Sequence, residues 1–140
     1  MATFNKVNSF VEALAEKKHD LGADVLKVML ANTAPIAANA VKADLTELGA
    51  GNGYAAGGAV AAVTSSAQTG GLYRLVLSDP PAWTAAGGSI GPFRYAVLYN
   101  DTAASKDLIG WWDYGSPVTL AAGESFAVDF DPAAGVLTIQ

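Results

Sequence analysis

The sequence predicts an all-β protein: an antiparallel β-sandwich, jelly-roll-like, with one short N-terminal helix and an N-terminal arm. Two observations carry this expectation. Apolar side chains recur with a period of two, so that Tyr95, Val97 and Tyr99 share a face in residues 94–99, and Phe126, Val128 and Phe130 are separated from Asp129 in residues 125–130. Between such runs stand Asn100-Asp101, glycines and prolines, which cut the chain into eight or so short strands.

Taken in order, residues 1–8 show no periodicity and read as an extended arm preceding a single domain over residues 9–140. Ser9-Phe10-Val11-Glu12 has the letters of a capping box, Phe10, Val11, Leu14, Lys18 and Leu21 keep helical spacing, and Gly22 is a natural stop. Residues 24–32 read as a strand apolar on both faces, hence well covered. Residues 35–58 are small and glycine-rich, notably Gly49-Ala50-Gly51-Asn52-Gly53-Tyr54, and predict a loop or bulged edge that varies in conformation or touches a neighbour. Residues 60–64 and 72–77 form a hairpin across a turn-rich link. Asp79-Pro80-Pro81 ends it, Trp83-Thr84 begins a short return, and strands follow at 94–99, 107–114, 117–120, 125–130 and 136–140.

Composition narrows the function. The 140 residues suffice for one core without staples, and zero cysteines exclude disulfides, zinc–thiolate sites and thiol nucleophiles. Only 15% of residues are charged, against about 25% in an ordinary soluble domain. So few charges favour burial against copies of the chain or against a large partner. A net charge of −5 with 8 scattered basic residues argues against nucleic acid. The N-terminal residues lack a secretory pattern, and the longest small-apolar stretch, residues 59–63, is far short of the roughly 20 residues of a spanning helix, so no membrane partner is expected.

No catalytic, cofactor or metal constellation emerges. Gly51-Asn52-Gly53-Tyr54-Ala55-Ala56 matches the letters of a dinucleotide fingerprint, but Gly57-Gly58 would break the helix that must follow. His19, the only histidine, sits among Lys17, Lys18 and Asp20 and reads as exposed on the polar side of the helix. Asp101, Asp107, Asp113, Asp129 and Asp131 are the candidates for an ion site or a carboxylate pair, weighed against caps on turn amides. Trp111 and Trp112 point to opposite faces of a strand, one toward the core and the other free for a subunit contact, plain packing or glycan stacking.

Several stretches resemble a family of small virion proteins of tailed bacteriophages. They are residues 9–15, 26–35, 91–102 (Gly91-Pro92-Phe93 through Asn100-Asp101-Thr102), 108–115 (Leu108-Ile109-Gly110-Trp111-Trp112-Asp113-Tyr114-Gly115), and Val128-Asp129-Phe130 with residues 135–139. The resemblance spans nearly the whole chain. It implies a non-enzymatic capsid cement, or decoration, protein that is made in the bacterial host cytoplasm, lies on the outer capsid surface of the virion, and binds the major capsid protein and copies of itself, a trimer being the oligomer to test. A tail or baseplate module, structural or receptor-recognising, is the alternative. On the cement reading, Phe4 and Lys6 belong to a capsid-contacting arm, Asn52 and Tyr54 to a loop touching a neighbouring subunit, and one of Trp111 and Trp112 to an interface.

Overall fold

The computed structural model describes residues 2–140, and its regular structure is almost wholly antiparallel strand. In chain order these are β1 (Phe4–Lys6), α1 (Phe10–Ala15), β2 (Leu26–Ala31), a 3-10 turn (Lys42–Asp44), β3 (Ala59–Val60), β4 (Val63–Thr69), β5 (Leu72–Leu77), β6 (Trp83–Thr84), β7 (Ile90–Asn100), β8 (Leu108–Leu120), β9 (Ser125–Phe126) and β10 (Leu137–Ile139). They form a five-stranded sheet in the order β1-β8-β7-β2-β3, a three-stranded sheet β10-β5-β4 and the pair β6-β9. The fold is therefore all-β with one short helix, sandwich-like, as the alternation predicts.

The central pair sets the register. β2 and β7 run antiparallel from Leu26 opposite Asn100 to Ala31 opposite Tyr95. One face carries Val28 with Leu98 and Leu30 with Ala96; the other carries Met29 with Val97 and Lys27 with Tyr99. Val28, Met29, Leu30, Val97, Leu98 and Tyr99 are all buried, so this pair is covered on both faces, as the sequence of β2 requires.

Several boundaries differ from expectation, each for a physical reason. The strands expected at 107–114 and 117–120 are one continuous β8, which bulges between them. Tyr95 faces Asp113 and Phe93 faces Val118, so β8 inserts extra residues at Gly115, whose φ of +102° suits glycine. Pro117 lies within this irregular stretch, where no ladder donor is needed. Of the strand expected at 125–130 only Ser125–Phe126 pairs, with β6. Beyond it the alternation persists without a partner strand: Val128 and Phe130 turn inward, Ala127 and Asp129 outward, and the Phe130 N–H donates to Asp79 Oδ1 at 2.7 Å.

The helix is shorter than its periodicity predicts. Ser9 is itself helical (φ −68°, ψ −13°) and its side chain makes no capping bond, so the capping box does not form. After Ala15 the next inward positions fall to Lys17 and Lys18, Lys17 turns left-handed at φ +66°, and Leu21 is buried from the link that follows instead of from the helix. The N-terminal arm is extended, as expected, but it is not detached. Phe4, Asn5 and Lys6 pair with Trp112, Trp111 and Gly110, making β1 an edge strand of the main sheet, and Val7 beyond it is buried.

Gly110 is what lets β1 lie so close. A Cβ there would stand 2.5 Å from the Asn5 carbonyl oxygen and would run into the Phe4 ring. Gly110→Ala is expected to destabilise the protein by about 1–3 kcal/mol and to abolish hydrogen-exchange protection at the Val7 amide, which donates to the Ile109 carbonyl, while that of β2 persists. Unchanged melting and unchanged exchange at that amide would disprove the account of this contact.

Candidate functional site

The main sheet meets the C-terminal segment along an aromatic groove. Its floor is Leu30, Ala96 and Trp112 from the sheet; its walls are Phe4, Phe93, Phe126 and Phe130. Trp112 sits between Phe4, at 4.9 Å between ring centroids, and Phe130, at 5.4 Å. Phe126 is met edge-on by Phe93 at 4.9 Å and by Tyr114 at 5.5 Å, both favourable arrangements of ring quadrupoles. The cavity these rings leave is ≈ 320 Å³, within the range of small binding pockets. Tyr114, at 59% exposed, is the one aromatic ring of the group that stands in solvent.

Arg94, one of the residues lining the groove, is held in a charge pair. Arg94 donates through Nε and one terminal nitrogen to the two oxygens of Asp113, at 2.7 and 2.9 Å. The guanidinium, with the Gly115 N–H, keeps the Asp113 carboxyl below the usual carboxylate range, and the same bond raises the Arg94 value. Arg94 also lies over the Tyr95 ring, 5.5 Å from its centroid. Asp129 and Asp131 also line the groove.

The expected site residues divide between this groove and other places. Phe4 and Trp112 are in it. Lys6 is exposed on the edge strand, and Trp111, on the opposite sheet face from Trp112, pairs with Asn5 and Val97 and is half-buried. Asn52 is exposed at the tip of a tight turn. Gly51 and Tyr54 exchange backbone hydrogen bonds at 2.8 and 3.0 Å around Asn52 and Gly53, both at positive φ. The glycine spacing thus serves a turn, with no helix after it to receive a phosphate.

Tyr54 corrects the sequence reading, because it is 2% exposed and belongs to the protein's own core rather than to a subunit contact. Its hydroxyl accepts the Leu30 N–H at 3.0 Å and donates to Glu47 Oε1 at 2.8 Å. Burial holds this phenol well above its ordinary value. Glu47 also accepts the Gly57 N–H at 2.5 Å and binds Lys42 Nζ at 2.6 Å, while the Tyr99 hydroxyl donates to the Gly57 carbonyl at 2.7 Å. The 35–58 loop is therefore drawn together by one carboxylate and fastened to β2 through the Tyr54 hydroxyl and to β7 through the Tyr99 hydroxyl; for Glu47 the sequence offers no signal beyond a lone acid among small residues.

His19 is a second correction. It is buried, 5% exposed, because the helix ends before reaching it and the chain folds back beneath Phe10. The carboxylates expected as a possible cluster do not converge. Asp101 pairs with Lys27 at 3.1 Å and Lys106 at 3.2 Å; Asp107 faces Lys18 at 4.0 Å; Asp131 caps the Ala133 and Ala134 amides. Burial opposes the charge on Asp101, but its two ammonium partners outweigh this and keep its value low. Among the described residues no three His, Asp or Glu side chains are placed to share a metal ion.

Comparison of the chain with protein-family models, with curated proteins and with solved structures finds no match.

The Tyr54 geometry gives a direct test. Tyr54→Phe leaves the buried Leu30 N–H without an acceptor and is expected to cost about 1–3 kcal/mol in urea denaturation. The loss should be independent of protein concentration, since the contact is intramolecular. Unaltered stability would show that this bond does not support the fold, and a loss seen only on dilution would point to a subunit contact instead.

Proposed function

We propose that the chain is a non-enzymatic capsid cement protein of a tailed bacteriophage, which binds the major capsid protein on the outer shell and ties neighbouring capsomers together. The observation that carries this reading is the aromatic groove with Tyr114 exposed at its rim. Aromatic side chains lose little entropy on contact and supply large area, which is why they anchor interfaces. The resemblance of the chain to small phage virion proteins supports the same reading, and so does a surface short of charge.

On this proposal the shell presents an apolar projection to the groove, with Lys6 on the adjoining edge strand and Asn52 on its turn as peripheral contacts. Many copies attached around a symmetric shell add their contacts, so a modest affinity per copy suffices. Self-association, as a trimer or otherwise, is part of the proposal. A receptor-binding module of the tail or baseplate is the second reading, and exposed Tyr114 is the feature that favours it, since such a ring can stack on a sugar.

Binding of the purified protein to shells that lack it distinguishes these. Tyr114→Ala, an exposed change that leaves the fold intact, is expected to lower affinity about tenfold or more, the usual effect of removing an aromatic anchor. Electron cryomicroscopy of the particle should then show the chain's density bridging capsomers. Density confined to the tail, or full shell binding by the variant, defeats the cement proposal in this form.

A further inference from the structure

The buried His19 is held in one protonation state by the polarity of its partner. Asn100, itself fully buried, accepts the Thr102 and Ala103 N–H groups at 2.9 and 3.1 Å through Oδ1. Those two donors fix which end of the amide is oxygen, so Nδ2 is the end that faces His19. Nδ2 donates to Asp24 Oδ2 at 2.6 Å and stands 3.1 Å from His19 Nδ1, with the Lys18 carbonyl a longer 3.5 Å away. The His19 Nδ1 must therefore be an acceptor, without a proton. The single proton of the neutral ring is on Nε2, which is buried and has no hydrogen-bond partner.

This arrangement joins two parts of the chain distant in sequence. His19, Lys18 and Asp24 belong to the link between α1 and β2; Asn100 and its turn belong to the end of β7. The same link is also tied to that turn by the Val25 N–H, which donates to Thr102 Oγ1 at 2.9 Å, and by the Asp101 N–H, which donates to the Val25 carbonyl at 2.8 Å.

We propose that His19 is an acid-sensitive latch: protonation at Nδ1 sets donor against donor at Asn100 and releases the link of residues 18–25 from the β7–β8 turn. The groups facing the ring are Lys18 and Asp24 from its own segment and Asp107 from the segment leading into β8, with Phe10 packed at 5.4 Å. Lys17, Asp20 and Tyr73 of β5 line the cleft beside it. The two carboxylates attract an imidazolium, but Asp24 Oδ2 already accepts Asn100 and the Asp20 N–H at 2.8 Å, and Asp107 faces Lys18. An imidazolium gains a carboxylate only by giving up Asn100, so the protonated and neutral rings require different arrangements of this link.

Burial lowers the His19 value from its ordinary position, outweighing Asp107 and Asp24, which raise it, while Lys18 lowers it further. The sign of the linkage follows: the unfolded chain takes up the proton first, so the stability held by the neutral ring is complete above the unfolded value near 6.5 and is lost as pH falls through the folded value.

Nitrogen-15 spectra of the imidazole in the wild-type chain test the latch without any variant. At pH 7.5 the proton should be on Nε2, and on acidification the ring should charge together with faster amide exchange at residues 18–25 and 101–103. A neutral ring with its proton on Nδ1, or charging with no change in exchange there, overturns the proposal. As a second measurement, His19→Asn keeps an acceptor near Asn100 but cannot titrate. The wild-type melting temperature should fall by about 2–6 °C more than the variant's between pH 7.5 and pH 5; parallel pH profiles would mean that carboxylates alone set the acid limb.

Discussion

The structure depends on a central strand pair that cannot face water on either side. β2 and β7 place Val28, Leu30 and Leu98 on one face and Met29, Val97 and Tyr99 on the other, and all six are buried. An antiparallel sheet commonly leaves one face wet, with polar residues alternating outward. Here that option is closed by sequence, so the rest of the chain must supply two covers. Over the Trp112 face lies the C-terminal segment with Phe126 and Phe130; over the Tyr99 face lies the loop that carries Lys42 and Gly57.

The second cover is the more demanding one. A loop of alanine and glycine has little apolar area to bury and much backbone freedom to lose, so burial alone does not hold it in place. Glu47 ties the loop to itself, gathering a lysine ammonium, a phenol and a backbone amide onto one carboxylate, and the Tyr54 and Tyr99 hydroxyls with the Leu48 N–H fasten the gathered loop to β2 and β7. Charge-assisted bonds of this kind are stronger than neutral ones and are worth most when partly buried. Gly58 completes the approach: a Cβ there would stand 2.7 Å from the Met29 Cα, so the loop can run directly against β2 only because that side chain is missing.

What was legible in the sequence follows from which features are local. Alternation in β7 survives folding because each side chain's face is set by its immediate neighbours along the strand, and even the unpaired Val128 and Phe130 obey it. Phe4 and Trp112 were singled out separately, but the aromatic groove they help to line was not visible, since its walls come from residues far apart in the chain. His19 was misread because helical spacing was extended through lysines that have no apolar stripe to continue. Tyr54 was misread because a glycine-rich neighbourhood says that the backbone turns, not where the one large side chain goes. Glu47 could not be found at all, because its role is defined by partners brought together only by the fold.

The economy of charge connects the fold to the proposed role. Of the acidic groups, Asp101, Asp113 and Glu47 are paired with lysine or arginine, and Asp131 is occupied with turn amides. The exposed surface is 6979 Å², close to the roughly 6,800 Å² expected of a folded monomer of this mass. The chain thus closes its own core without help from a partner, and low charge does not reflect an unfinished fold. What remains outside carries an aromatic groove and few charges to be stripped of water on contact. In the proposed role a module built in this way would dock at small desolvation cost, and repetition on a symmetric shell would supply the durability that a single contact lacks.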